Sequence, residues 1–121
     1  MPKVKVMVVD DEADVLSTTA RMLEFLGFEP VLVQSAEKLL ERVKQENPDI
    51  LLQDIMMRGL NLAKFLEDVK SNPDTAHIKL LIFSAVDDLT TYRASPWVDG
   101  LLRKPFGLND MKKALSVAAK N

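Results

Sequence analysis

Four polar stretches of this chain carry the residue types that metal-assisted phosphoryl chemistry needs, and each follows a strand-like run. They supply carboxylates, one hydroxyl and one ammonium group. The residues are Asp10, Asp11, Glu12, Asp54, Ser84 and Lys104. Because clustered carboxylates raise one another's pKa, a bound cation would stabilise them. Oxygen ligands without histidine or cysteine favour Mg²⁺.

An aspartate in such a cluster could be a nucleophile toward phosphorus and form an acyl phosphate. A lysine and a hydroxyl nearby could hold the other phosphoryl oxygens. Each stretch alone has an ordinary explanation, since acids after a strand often begin a helix and Asp54 or Ser84 could be a turn or cap residue. Their joint position at four strand ends favours the functional interpretation.

The elements that must position these residues alternate along the chain. Strands are predicted at 3–9, 29–34, 49–53, 79–83 and 98–103. Apolar residues recur at helical spacing within 15–26, 36–43, 62–69 and 108–118, and more weakly within 87–94. This alternation predicts parallel βαβ units with right-handed crossovers. Ligands of such sheets gather beyond the carboxyl ends of the strands, where these residues lie.

Several residues mark the element boundaries. Gly27 is predicted to cap the first helix, Ser35 to be the N-cap of the second, and Asn47-Pro48 to end it. Pro30 lies in the second strand, and a sheet tolerates proline mainly at an edge. The strand order 2-1-3-4-5 places that strand at an edge. We therefore predict one doubly wound α/β domain over residues 1–121.

Composition excludes several classes of protein. The chain has 121 residues, with 16 basic and 18 acidic ones, and this balance disfavours direct nucleic-acid binding. The absence of cysteine excludes disulfides and thiolate metal sites. No apolar run approaches the roughly 18–20 residues that span a bilayer, and no signal-peptide pattern is present. We expect a soluble, cytoplasmic protein without membrane contact.

Four motifs make the chain resemble the receiver domain of bacterial two-component response regulators. They are residues 8–12 (VVDDE), 48–57 (PDILLQDIMM), 81–85 (LIFSA) and 104–106 (KPF). The resemblance covers essentially the whole chain and implies a flavodoxin-like (βα)5 fold.

The resemblance also implies a role for each acid. Asp54 would accept a phosphoryl group from a phosphohistidine on a histidine kinase or a phosphotransfer protein. Asp11, Asp54 and the Met56 backbone carbonyl would bind Mg²⁺, and Asp10 would do so mainly through water. The protein would be a signalling switch rather than an enzyme.

The other two motifs are implied to hold the phosphoryl group and to pass on the signal. Ser84 and Lys104 would contact the phosphoryl oxygens, and the Lys104-Pro105 peptide bond would be cis. Output would then reach an unknown downstream protein by direct contact.

This sequence departs from the family pattern at several positions. Leu101 replaces the usual aromatic residue three positions before the lysine, which puts the usual aromatic readout in doubt. Arg58 stands where a proline is usual; a solvated loop residue is the favoured interpretation, and contact with the phosphoryl group or a partner is the alternative. Met56 and Val86 are both apolar and unable to orient water, so we predict slow self-dephosphorylation.

Three other functions compete with the phosphoryl-accepting switch. A phosphorylation-independent pseudo-receiver is favoured a little by Leu101 and Arg58, and disfavoured by the complete set of site residues. An aspartyl-phosphate phosphohydrolase would need a second acid two residues after Asp54, where Met56 stands. A nucleotide-binding protein would need a glycine-rich loop after the first strand, and acids stand there.

Overall fold

The computed structural model describes residues 3–84 and 96–120, with the side chains of 84 and 117–120 left undescribed. The strands are β1 (Lys5–Val9), β2 (Glu29–Val33), β3 (Ile50–Asp54), β4 (Lys79–Ser84) and β5 (Gly100–Arg103). The helices are α1 (Ala13–Phe25), α2 (Leu39–Glu46), α3 (Leu62–Ser71) and α4 (Leu108–Lys120). The short helix predicted at 87–94 lies outside the described residues.

The five strands form one parallel sheet in the order β2-β1-β3-β4-β5, as predicted. Pro30 lies in β2, which is an edge strand, and this part of the prediction is also confirmed. The three central strands are almost entirely buried. Their unbroken apolar runs therefore reflect a sheet that is covered on both faces.

Alternating side chains of the sheet enter two apolar clusters, one on each face. Met7, Leu51 and Leu80 pack with the buried faces of α2 and α3. Val8, Leu52 and Leu81 pack with α1 and α4 on the other face. Burial of one such side chain stabilises a fold by about 1.5–3 kcal/mol. This packing fixes the sheet whose carboxyl edge carries the acids and the lysine.

One predicted boundary is wrong, because Ser35 is not the N-cap of α2. The hydroxyl of Ser35 accepts a hydrogen bond from the Glu37 N–H at 3.1 Å and forms a local turn instead. The helix begins only at Leu39, after Lys38 in a left-handed conformation with φ 53°. At the other end of α2, Asn47 takes φ 47° and donates its N–H to the Val43 carbonyl. The predicted stop at Asn47-Pro48 is confirmed.

Gly27 follows α1 with φ +89°, a conformation that glycine adopts without steric cost. This agrees with its predicted role at the end of that helix. Among the described residues, no helix is long and apolar enough to cross a membrane.

Candidate functional site

Parallel strands bring three distant parts of the chain to one edge of the sheet. Asp10 directly follows β1, Asp54 is the last residue of β3, and Lys104 directly follows β5. Because all strands run in the same direction, their carboxyl ends lie on the same side of the molecule. The sequence predicts that these residues meet there, and the structure brings them together.

Lys104 lies between two buried carboxylates. Its Nζ donates to Asp10 Oδ2 at 2.6 Å and lies 3.8 Å from Asp54 Oδ1. The same ammonium group lies 4.6 Å from the centre of the Phe83 ring, where a cation–π interaction holds it. The Lys104-Pro105 peptide bond is cis, as predicted.

Asp10 is completely buried, and both of its carboxylate oxygens have partners. Oδ2 accepts from Lys104, and Oδ1 accepts the backbone N–H of Glu12 at 2.8 Å. A metal ion that bound Asp10 directly would have to share these oxygens with the two hydrogen-bond donors. The arrangement is compatible with the prediction that Asp10 acts through water.

Asp54 is only 4% exposed, and this burial raises the pKa of its carboxyl group above the usual value. Lys104 and the Met56 N–H, which donates to Asp54 Oδ1 at 3.3 Å, oppose the increase. The negative charges of Asp10 and Asp11 add to it. The ionised carboxylate is therefore held in surroundings that favour the addition of positive charge.

Asp11 lies at the outer side of the site, with its side chain 26% exposed. Its Oδ2 lies 3.8 Å from Nε of Arg58, whose side chain is 95% exposed. The favoured interpretation of Arg58 from the sequence was a solvated loop residue. The structure agrees with that exposure, and it also places the guanidinium group beside an acid of the site.

The donor set fits a hard divalent cation. Asp10, Asp11 and Glu12 each offer a carboxylate oxygen, and these oxygens lie within 4.8 Å of one another. With Asp54, the four acids carry four formal negative charges against the two positive charges of Lys104 and Arg58. Oxygen-only ligands with surplus negative charge suit Mg²⁺. Glu12 was not among the predicted ligands, and Asp54 does not belong to this close group.

Gln53 is a polar residue of the site that the sequence analysis did not single out. It is completely buried on β3, and its Nε2 donates to the backbone carbonyl of Asp54 at 2.9 Å. Its Oε1 has no hydrogen-bond partner among the described residues. The available signal was an amide side chain directly after the apolar run of residues 50–52.

The remaining predicted residues have different outcomes. Ser84 ends β4, and its backbone lies opposite Arg103 of β5, but its hydroxyl is outside the described side chains. Val86 lies outside the described residues. The Met56 side chain is largely exposed. Leu101 packs against the cluster that includes α2 and α3, so it occupies the usual aromatic position as a half-buried core residue.

Comparisons with known sequences and structures agree on one protein family. The sequence profile of the response regulator receiver domain matches residues 6–116. Response regulator MprA of Mycolicibacterium vanbaalenii is 28% identical over 110 residues, which are 89% of this chain and 47% of that protein. The chain thus spans about half the length of the curated relatives it matches.

Two solved structures illustrate the likeness. The N-terminal domain of a response regulator receiver protein from Methanoculleus marisnigri JR1 is 27% identical, with a TM-score of 0.73 over 93% of both chains. Chemotaxis response regulator CheY4 of Vibrio cholerae has a TM-score of 0.85 at 18% identity, over 97% of this chain and 99% of that one. The second likeness shows the fold alone.

Proposed function

Because the chain belongs to the response regulator receiver domain family, we propose that it is a phosphoryl-accepting switch with Asp54 as the acceptor. The observation that carries this proposal is the position of the Lys104 ammonium group. It is bonded to Asp10 and lies 3.8 Å from Asp54, although Lys104 and Asp10 are 94 residues apart in the chain. The donor would be a phosphohistidine on a histidine kinase or on a phosphotransfer protein.

In the proposed transfer, a carboxylate oxygen of Asp54 attacks the phosphorus of the phosphohistidine. The new P–O bond forms as the P–N bond breaks, and the imidazole leaves with the electron pair and takes up a proton. Lys104 offers its ammonium group to a phosphoryl oxygen beside the Asp54 carboxylate. Mg²⁺, held by Asp11, Asp54 and the Met56 carbonyl, would neutralise negative charge on the donor and the acceptor.

The proposed switch follows from the charge balance of the site. The phosphoryl group carries about −1.5 to −2 units of charge in place of the single negative charge of the Asp54 carboxylate, next to acids that already outnumber the nearby cations. The ammonium group of Lys104 is then shared between Asp10 and the phosphoryl oxygens, and Ser84 would move toward the same charge. A pre-existing active conformation is thereby enriched. Leu101 has no hydroxyl group and a smaller side chain than the usual aromatic residue, so the readout differs there.

Output is proposed to occur through contact with a downstream protein, without direct contact with nucleic acid or membrane. A cytoplasmic location is part of the same prediction. The pseudo-receiver alternative is not favoured, since it would leave the convergence of Asp10, Asp54 and Lys104 without a use.

The direct test is phosphorylation by a small donor. With acetyl phosphate and Mg²⁺, the wild-type protein should gain the mass of one phosphoryl group, and Asp54→Ala should gain none. Asp74→Ala, which removes an exposed acid outside the site, should behave as the wild type. Phosphorylation of Asp54→Ala to the wild-type extent would contradict the proposal.

A further inference from the structure

Arg58 is the charged partner of Asp11. Unlike Asp10 and Asp54, Asp11 has no recorded contact with Lys104. The Arg58 Nε lies 3.8 Å from Asp11 Oδ2. Over residues 3–83 and 96–116, whose side chains are described, no other cation lies within 4 Å of the Asp11 carboxylate, and that carboxylate accepts no hydrogen bond. Asp10 and Asp54, by contrast, each accept from a backbone N–H and lie beside Lys104.

The contact of Arg58 with Asp11 is easily displaced. The arginine side chain is 95% exposed, and exposed ion pairs contribute little because water screens them. Among the described residues, Asp11 is the one acid within 4 Å of the guanidinium group, so that group can move once the charge of Asp11 is neutralised.

We propose that Arg58 is a displaceable counter-ion of the acidic site. It pairs with Asp11 when no divalent cation is bound there, and it contacts the phosphoryl oxygens after the cation has taken Asp11 and Asp54 has been phosphorylated. This inference rests on the proposed function, and it adds a positioning and affinity-setting residue to that function.

The physical reason for both positions is charge. A divalent cation at Asp11 neutralises the carboxylate and repels the guanidinium group. The phosphoryl group on Asp54, four residues before Arg58 in the chain, then offers a strong negative charge to which the guanidinium group can turn. Arginine suits that second position because its planar fork pairs with two phosphate oxygens at once.

The proposal makes two predictions of opposite sign for Arg58→Ala. Loss of the competing charge should tighten Mg²⁺ binding about three- to tenfold at low ionic strength, and the gain should shrink at high salt. The same substitution should weaken binding of beryllofluoride, a phosphoryl analogue, about three- to tenfold at saturating Mg²⁺. A change that merely loosened the loop would weaken both.

Calorimetric titration of the metal-free protein with MgCl₂, followed by beryllofluoride, measures both affinities. Arg42→Ala is the matched control, because Arg42 is also partly exposed and lies 3.9 Å from a single acid, Glu46, on α2. It should leave both affinities unchanged. Arg58→Lys keeps the positive charge, so its Mg²⁺ affinity should equal that of the wild type. Its beryllofluoride affinity should lie between those of Arg58→Ala and the wild type, because lysine lacks the planar fork.

The outcomes separate this proposal from the function on which it rests. Equal Mg²⁺ affinity in the wild type and in Arg58→Ala would show that Arg58 is not a counter-ion of the metal site. Unchanged beryllofluoride affinity would show that Arg58 does not contact the phosphoryl group. Either result would leave Asp54 phosphorylation standing. A wild-type protein that binds no Mg²⁺ and gains no phosphoryl group would overturn the proposed function and this inference together.

Discussion

Two lysine–aspartate pairs lie at opposite ends of the same sheet. At the carboxyl end, Lys104 bonds to Asp10 at 2.6 Å. At the amino end, Lys70 of α3 lies 3.2 Å from Asp99, which directly precedes β5. Both lysines are mostly buried, so the two pairs differ chiefly in their surroundings.

The pair at the amino end is balanced in charge and well hydrogen-bonded. Lys70 Nζ also donates to the Ile78 carbonyl at 2.6 Å, and Asp99 Oδ2 accepts the Leu80 N–H at 2.8 Å. These contacts tie the end of α3 to β4 and to the start of β5. One cation meets one anion, and each has a backbone partner, so this pair is suited to hold the fold together.

The pair at the carboxyl end has more acids than cations. Lys104 lies near a second buried carboxylate, Asp54, whose pKa is raised chiefly by burial. The comparison teaches that excess acid, rather than the presence of a buried ion pair, distinguishes the end that is proposed to bind a cation and a phosphoryl group. Substitutions at the two ends should therefore have different effects on stability and on Mg²⁺ dependence.

The largest expected effect is that of Lys104→Met in the absence of divalent cations. Removal of the ammonium group leaves Asp10 and Asp54 buried without their cation, and such losses cost about 3–5 kcal/mol. Lys70→Met should cost less, about 1–2 kcal/mol, because the Asp99 side chain is 23% exposed and water can solvate its charge, whereas Asp10 is completely buried. Urea unfolding in EDTA measures both free energies.

Mg²⁺ sharpens this comparison. Mg²⁺ should return part of the lost stability to Lys104→Met, since it supplies positive charge at the same acids. It should change the free energy of unfolding of Lys70→Met no more than that of the wild type. Equal losses in the two variants, with no selective recovery in Mg²⁺, would contradict the distinction between the two ends.

The next effect concerns the lifetime of the acyl phosphate. The apolar side chains of Met56 and Val86 offer no group that orients an attacking water, so the wild type should lose its phosphoryl group slowly. The double variant Met56→Asn, Val86→Glu should hydrolyse about ten- to a hundredfold faster. The decay is followed by intact-mass measurements after removal of the donor. A wild-type half-life of seconds would show that the prediction is wrong.

Asp54→Asn should stabilise the metal-free protein by about 0.5–2 kcal/mol at neutral pH. Because burial raises the pKa of Asp54 in the folded state, the protonated group favours folding, and this contribution is lost as the pH rises through the folded-state pKa. The difference in stability between Asp54→Asn and the wild type should therefore be small near pH 4, close to the usual aspartate pKa. It should grow as the pH rises toward neutral. Thermal unfolding in EDTA across this range checks the sign.

Asp99→Asn is the counterpart of that substitution at the amino end. It leaves Lys70 without an ionised partner, so it should lower the free energy of unfolding at neutral pH. A stabilising Asp99→Asn, or an Asp54→Asn that destabilises the metal-free protein, would remove the proposed contrast.

The smallest effect should come from the buried polar side chains near each end. Thr75 is buried, and its hydroxyl donates to the Val69 carbonyl at 2.6 Å; Thr75→Val should cost about 1 kcal/mol. Gln53→Met should cost less than that, because it also removes the buried Oε1, which has no hydrogen-bond partner among the described residues, and this offsets the lost Nε2 bond. Chemical unfolding of the two variants under the same conditions gives the order, and the reverse order would contradict it.

The main features of the fold could be predicted from the sequence because they depend on regular patterns. Apolar runs alternating with helical periodicity indicated the five parallel strands, and Pro30 agreed with an edge position for β2. Strand direction then predicted that Asp10, Asp54 and Lys104 would meet. The structure confirms that meeting; the chemical roles assigned to these residues stay predictions.

Other features could not be predicted, because they depend on local competition or on tertiary contacts. Ser35 has the chemistry of an N-cap, and only the backbone conformation shows that it bonds to Glu37 instead. The proximity of Arg58 to Asp11 depends on the path of the loop after β3, which residue spacing does not define. Whether Gln53 Oε1 finds a hydrogen-bond partner depends on every neighbour in the core, and the part of the chain that the structure describes offers it none.

The most direct test of the phosphoryl-accepting role is to locate the acyl phosphate itself. The protein would be phosphorylated with acetyl phosphate and Mg²⁺, treated with borohydride to reduce an aspartyl phosphate to homoserine, and digested for peptide mass spectrometry. We predict homoserine at position 54, with Asp10, Asp11 and Asp99 unchanged. An unmodified Asp54 in a protein that carries the phosphoryl group at another residue would contradict the central claim.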